Sequence, residues 1–209
     1  MISGEEVDAL LVAVPRLLEW ATAGGTADET HANYLEVTEG RDSGKARATY
    51  SSCGDLAAWL LFRLGCRQEW VNRRENRGWK VGANVSQLAF VAPLSVRRAP
   101  FPGIVASPGD IFIQWNDPRG TDAHVFLCAR EQRLPGQMTV AELGQPGGHI
   151  RDRLVTARNG HLYCGARRIQ RWLPLHLVIT DAAERGELEA LSLPWKDTEP
   201  SPPPEEPNT

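Results

Sequence analysis

TYSSCGDLAAWLLFRLG, residues 49–65, predicts a buried central helix around which the rest of the chain is arranged. Ser51 or Ser52 can cap its first turn, and the charge of Asp55 suits the positive end of the helix dipole. Apolar residues then follow around most of the circumference until a glycine ends the run. Cys53 falls in the first turn, where unpaired backbone N–H groups and the helix dipole lower the pKa of a thiol. Since the thiolate is the nucleophilic form, Cys53 is a candidate for covalent chemistry if the fold brings a base to it.

The composition is that of an ordinary globular protein, with 209 residues, 42% hydrophobic, 23% charged and a net charge of −3. No run of lysine and arginine is long enough to indicate nucleic acid as a partner. No apolar stretch approaches the roughly 20 residues that span a bilayer. The four cysteines show no Cys-x-x-Cys spacing, which favours free thiols over disulfides. We interpret Cys66, Cys128 and Cys164 as small buried hydrophobic residues.

The pattern of elements divides the chain into four parts. Residues 1–25 predict an amphipathic helix that is broken or kinked at Pro15. Residues 26–180 predict the main domain, and residues 181–194 predict a short C-terminal helix. Residues 195–209 are rich in proline and acidic side chains and are expected to be disordered.

Within the main domain, predicted helices come first and predicted strands follow. Turn signals separate short apolar strands, which we place at residues 111–115, 123–130, 138–143, 150–156 and 162–173. Such spacing is typical of an antiparallel β-meander. Helices before strands indicate an α+β fold, with the helices packed on one side of the sheet.

A thiol nucleophile needs an imidazole within hydrogen-bond reach and a third polar group that orients the imidazole. Of the five histidines, His124 is the one near the start of a strongly predicted strand, directly after a polar loop. On that strand, His124 shares one face with Phe126 and Cys128. A single histidine on a strand is more often a core residue than a base. The motifs around His124 therefore decide between these two roles.

Those motifs, in their order along the chain, resemble the cysteine, histidine-dependent amidohydrolase/peptidase (CHAP) domains and their NlpC-type relatives. The matching segments are SCGDL at 52–56, PGDIFI at 108–113, HVFL at 124–127 and TVAEL at 139–143. The resemblance covers roughly residues 45–173. It implies a papain-like α+β fold in which Cys53 is the nucleophile and His124 is the base.

The third residue follows the CHAP pattern only in part. That pattern places a glutamate on the strand after the histidine strand, and Glu142 matches it; the asparagine expected shortly beyond is a glycine, with Gln145 the nearest amide. His149 is a further candidate because NlpC-type relatives can use a histidine as the third residue. Tyr50, three residues before Cys53, is a candidate for stabilising the oxyanion.

The resemblance implies hydrolysis of amide bonds in the peptide part of the bacterial cell wall. The enzyme would be a peptidoglycan endopeptidase or an N-acetylmuramoyl-L-alanine amidase, acting through a thioester without a cofactor or a metal. The acidic start, MISGEEVD, lacks the pattern of a secretory signal. We therefore expect synthesis in the cytoplasm and non-standard export as a phage lysin, a phage tail enzyme or an interbacterial effector. An immunity or delivery protein is a candidate partner.

Three other interpretations stay open. The chain could be a catalytically silent binding or structural module with the same fold, or a cysteine amidohydrolase that acts on a non-wall peptide. A metal site built from Cys53, His124, His149 or Cys164 is disfavoured, because closely spaced ligand pairs are missing.

Overall fold

A computed structural model describes residues 4–22, 53–66, 94–115, 124–144 and 147–188. The helices in these ranges are α1 (Gly4–Val12), α2 (Val14–Thr22), α3 (Cys53–Arg63) and α4 (Leu175–Glu184). The strands are β1 (Val105–Ala106), β2 (Ile111–Gln114), β3 (His124–Cys128), β4 (Gln132–Arg133), β5 (Gly136–Gly144), β6 (Gly147–Arg158), β7 (His161–Cys164) and β8 (Arg167–Leu173).

Six of these strands form a closed antiparallel barrel in the order β2, β3, β5, β6, β7, β8. The barrel closes because β2 also pairs with β8, with Ile111 opposite Leu173. The predicted papain-like α+β fold, with helices on an open β-meander, is therefore wrong, and the described part of the chain is mostly β. Closure depends on pairing between strands far apart in sequence, which local hydrophobic periodicity does not encode.

The lengths of the strands differ from the prediction as well. β5 and β6 form a long hairpin of nine and twelve residues. The single strand predicted at 162–173 is two strands, β7 and β8. They are separated by a turn in which Gly165 has a φ of +63°, a conformation that glycine adopts without strain.

Successive residues of the strands point to opposite sides of the barrel wall, and each side has its own core. Inside the barrel, the rings of Phe112 and Phe126 stack with centroids 5.6 Å apart. Outside it, Ile113 and Val125 belong to a second apolar core that the helices cover. α3 lies in that outer core with its leucines fully buried, so Cys53 at its start is held against the wall of the barrel.

The Pro-Gly-Asp turn before β2 ties the barrel to α4. Asp110 is 1% exposed, and its Oδ1 accepts a hydrogen bond of 2.8 Å from the backbone N–H of Leu175, at the start of α4. Its Oδ2 accepts hydrogen bonds from Trp172 Nε1 at 2.8 Å and from the backbone N–H of Ser107 at 3.1 Å. Burial raises the pKa of Asp110 from its usual value, although these donors oppose the shift. Gly109 has a φ of +84°, and a Cβ there would strike side chains of α2 and α4.

The helical predictions at the two ends need correction in their bounds. The helix predicted at 1–25 is two helices that break at Ala13, and Pro15 lies in the first turn of α2, where its missing N–H costs no helical hydrogen bond. The helix predicted at 181–194 begins earlier, at Leu175, and α4 ends at Glu184. The predicted tail at 195–209 lies outside the described residues. No helix in the described ranges is long and apolar enough to cross a membrane.

Candidate active site

Three of the predicted site residues contact one another in a line. α3 begins at Cys53, His124 is the first residue of β3, and Glu142 lies on the neighbouring strand β5. His124 Nε2 lies 3.2 Å from Glu142 Oε1, and the imidazole also makes a side-chain hydrogen bond with Cys53. Since Nε2 faces the carboxylate, Nδ1 is the ring nitrogen left for the sulfur. The result is a thiol, an imidazole and a carboxylate connected in series.

The start of α3 gives the sulfur of Cys53 a favourable electrostatic environment. Cys53 is 1% exposed and is the first residue of an eleven-residue helix. The first backbone N–H groups of a helix have no partner within the helix, and they place positive partial charge at that end. Such a field favours the thiolate over the thiol.

His124 is held in its protonated form. Burial alone would lower the pKa of His124, but its hydrogen bonds to Cys53 and Glu142, together with the negative charges of both groups, raise it to about 9. The imidazole is therefore an imidazolium at neutral pH. An imidazolium next to a cysteine at a helix N-terminus matches the activated nucleophile and acid that thiol hydrolysis requires.

Glu142 is the centre of a larger cluster of charges. Its side chain is 2% exposed, and its Oε2 accepts hydrogen bonds from Arg151 Nη2 at 2.8 Å and Arg153 Nη2 at 2.9 Å. His149 Nε2 lies 3.2 Å from the same oxygen. Burial alone would raise the pKa of Glu142, but the hydrogen bond and charge of His124, with the charges of Arg153 and Arg151, lower it to about 2. The carboxylate stays ionised and keeps a fixed orientation towards His124.

The predicted supporting residues have mixed outcomes. His149 contacts the carboxylate of Glu142 on the oxygen that does not face His124, so it lies behind the third residue and does not replace it. Tyr50 and Gln145 fall outside the described residues.

Arg151 and Arg153 were not predicted from the sequence, although a signal for them was present. His149, Arg151 and Arg153 alternate along one strand, and alternate residues of a strand share a face. The register of the β5–β6 hairpin pairs Glu142 with His149. All three side chains therefore lie on the same side of the wall as the carboxylate.

Gln114 was also missed. It is paired with His124 in the β2–β3 ladder, so its amide lies on the same face as the imidazole. The residue is 2% exposed, and Oε1 finds no hydrogen-bond partner in the structure as described. A buried amide oxygen without a partner is uncommon and costly. Gln114 is therefore a buried cross-strand neighbour of His124.

The other cysteines differ from Cys53 in their chemistry. All four cysteines are buried, and none of them forms a disulfide in the structure. Burial raises the pKa of Cys128 to about 12 and also raises that of Cys164. Both stay protonated at neutral pH and are poor nucleophiles.

A metal site is disfavoured by the charges of the cluster. Within the described ranges, no three His, Cys, Asp or Glu side chains are grouped so that they could hold a metal ion. Of the residues considered as ligands, His124 and His149 both contact the carboxylate of Glu142, but so do two arginines. Their positive charges would repel a cation at that place.

Comparison with known proteins finds no matching family model, no matching curated protein and no matching solved structure. The resemblance to CHAP domains stays a prediction from the motifs. The chemistry of this site therefore has to follow from its own geometry.

Proposed function

We propose that this protein is a thiol hydrolase of amide bonds, with Cys53 as the nucleophile, His124 as the acid and base, and Glu142 as the residue that orients His124. The observation that carries the proposal is the unbroken series of side-chain contacts from Cys53 through His124 to Glu142. In that series, Glu142 is a positioning residue, since it acts through the imidazole.

In the first half of the reaction, the Cys53 thiolate attacks the carbonyl carbon of the scissile amide. The carbonyl oxygen becomes an oxyanion, which the backbone N–H groups at the start of α3 are suited to stabilise. The His124 imidazolium then gives its proton to the amide nitrogen, the C–N bond breaks, and the amine leaves. The acyl group remains on the sulfur as a thioester.

In the second half, neutral His124 takes a proton from a water molecule. The resulting hydroxide attacks the thioester carbon, and the C–S bond breaks. The products are a carboxylic acid and the Cys53 thiolate, with His124 again an imidazolium. Glu142 favours this charged form in both halves, because it is ionised and in contact with Nε2.

The proposed substrate is the peptide part of peptidoglycan, cut by an endopeptidase or amidase action at the bacterial cell wall. This part of the proposal is supported by the resemblance of residues 52–56, 108–113, 124–127 and 139–143 to CHAP motifs. An immunity or delivery protein as partner belongs to the same proposal.

The test compares three purified proteins on peptidoglycan sacculi, with the soluble fragments identified by mass spectrometry. They are the wild type, Cys53→Ala, and Cys66→Ala as a matched control. Cys66 is a buried cysteine outside any disulfide, just beyond the other end of α3. We expect fragments from the wild type and from Cys66→Ala, and none from Cys53→Ala.

The other outcomes separate the alternatives. If no protein releases fragments and the Cys53 thiol resists iodoacetamide at mildly acidic pH, the hydrolase proposal is wrong and a binding module is favoured. If Cys53 alkylates fast but the wall stays intact, the thiol chemistry stands and the substrate is an amide outside the wall.

A further inference from the structure

Arg151 has hydrogen-bond donors that are not used by the described residues. A guanidinium carries five N–H donors. In the described part of the chain, Arg151 makes one ion pair, in which its Nη2 donates to Glu142 Oε2 at 2.8 Å. Arg153 is more fully engaged, because its Nη2 donates to Glu142, its Nε lies 2.9 Å from Oε1, and its Nη1 contacts Cys164 Sγ at 3.9 Å.

The side chain of Arg151 also faces solvent. It is 50% exposed, whereas that of Arg153 is 25% exposed and that of Glu142 is 2% exposed. β7 pairs with β6 only from Val155 to Arg158, so among the described strands residues 147–154 of β6 pair with β5 alone. Among the described strands, the part of β6 that carries Arg151 therefore has a paired strand on one side only, and the half-exposed guanidinium is accessible to solvent.

The charges of the cluster leave a net positive site. Arg151, Arg153 and the His124 imidazolium are positive, while Glu142 and a Cys53 thiolate are negative. Among the described side chains of the cluster, three positive groups therefore face two negative ones. A carboxylate is the group that matches a half-exposed guanidinium, because two of its N–H groups can bond both carboxylate oxygens.

We propose that the guanidinium of Arg151 binds a carboxylate of the substrate and thereby selects peptides that carry a free carboxylate close to the scissile amide. Among the described residues, a series of contacts runs from the Cys53 sulfur through the imidazole of His124 and the carboxylate of Glu142 to Arg151. An extended peptide covers roughly 3.3–3.6 Å per residue, so the recognised carboxylate lies within about three residues of the bond that is cut. This inference rests on the proposed thiol hydrolase, and it names the class of peptide on which that enzyme acts.

The first experiment needs no turnover and uses alkylating reagents of graded length. Iodoacetyl-glycine and iodoacetyl-diglycine are compared with their C-terminal amides, which have the same shape but no charge. In each case, the Cys53 sulfur displaces iodide and forms a thioether, and mass spectrometry gives the rate at Cys53. For each length, the measured quantity is the ratio of the rate with the acid to the rate with the amide.

We expect the wild type to prefer one of the acids over its amide by about 10- to 100-fold, the range of a good charge-assisted pair. Arg151→Gln should bring that ratio close to one, and Arg151→Lys should keep part of the preference. The matched control is Arg158→Gln. It removes the same charge from the same strand, at an exposed position where the arginine lies 5.4 Å from the ring of Tyr163. This control should keep the wild-type ratio.

The ratio separates recognition from a structural effect. If Arg151 only holds Glu142 in place, its loss slows the acid and the amide reagents equally and leaves the ratio unchanged, which overturns the inference while Cys53 is still reactive. If Cys53 reacts with none of the reagents, the nucleophile itself is wrong and both proposals fall.

A second experiment uses turnover. Sacculi whose free carboxylates have been converted to amides are compared with untreated sacculi. Amidation should slow release by the wild type by about 10- to 100-fold and should leave the slower Arg151→Gln variant almost unaffected. Equal sensitivity of the two proteins to amidation would contradict recognition by Arg151, even if Cys53→Ala is inactive and the hydrolase proposal holds.

Discussion

Glu142→Gln is the substitution that most directly tests the electrostatics of the site. Glutamine has the shape of glutamate but no charge. It therefore removes the anion from His124 while leaving the strand and its packing in place. If Glu142 holds His124 as an imidazolium, the pKa of His124 must fall in this variant.

The size of the fall follows from the contacts. The pKa of His124 is raised from 6.5 to about 9 against the effect of burial, and Glu142 supplies one of the two hydrogen bonds and one of the two charges that raise it. An opposite charge in contact shifts a pKa by about 1–3 units, so the variant should titrate at least about one unit lower. In catalysis, loss of the orienting carboxylate should reduce kcat by about 10²- to 10⁴-fold.

The same shifts set the pH dependence of stability. Because the pKa of His124 is raised, its contribution is complete below its ordinary pKa of 6.5 and is lost as the pH rises through about 9. Because the pKa of Glu142 is lowered, its contribution is present above its ordinary pKa of 4.5 and is lost as the pH falls through about 2. In Glu142→Gln, the free energy of unfolding should therefore depend less on pH at both extremes.

The assay is an NMR titration of the imidazole nitrogens, with the His124 signals assigned from a His124→Gln variant. The matched control is Asp152→Asn, which removes a carboxylate from the same hairpin. Asp152 accepts hydrogen bonds from Gln137 and Thr139, and its described hydrogen bonds include none with the cluster. The control should move the midpoint of His124 by no more than a few tenths of a unit. A wild-type midpoint near 6.5, or a midpoint that Glu142→Gln leaves unmoved, would refute the reasoning.

Three further predictions concern the scaffold and the thiols. Asp110→Asn should lower the free energy of unfolding by about 2–4 kcal/mol in chemical denaturation. An amide cannot accept all three hydrogen bonds that the carboxylate accepts, and its NH₂ would face a donor. An unchanged denaturation midpoint would show that these bonds do not hold β2 and α4 together. Gly109→Ala should lower the free energy of unfolding by at least about 3 kcal/mol, because the residue has a positive φ and a Cβ there would strike α2 and α4. A variant that melts at the wild-type temperature would show that the turn can relax. In the folded protein at neutral pH, iodoacetamide should label Cys53 at least about 10-fold faster than Cys128, whose pKa is raised by burial. Peptide mapping measures the two rates, and equal rates would show that Cys53 is not an activated thiol.

The sequence was sufficient for the local features of the site. A capping sequence, a cysteine and an apolar run predict a helix that begins near Cys53, and α3 begins there because these signals act over a few neighbouring residues. The turn signals and alternating apolar residues likewise predict the strands that carry His124 and Glu142, because side-chain direction in a strand has a period of two. The same alternation places Arg151 and Arg153 on the face of His149, a signal that was not used to predict them.

The tertiary structure alone decided how these elements are assembled. Whether the sheet stays open or closes depends on the pairing of β2 with β8, a contact between distant residues that leaves no trace in local periodicity. The same holds for the charges, because the register of the strands decides which side chains meet Glu142. His124 contacts one carboxylate oxygen, Arg151 and His149 contact the other, and Arg153 contacts both, so that Glu142 is an ionised, orienting carboxylate. Sequence determined which residues could act, since their chemistry and direction are local. The fold decided what they can do together, since pKa values and recognition depend on distances between strands.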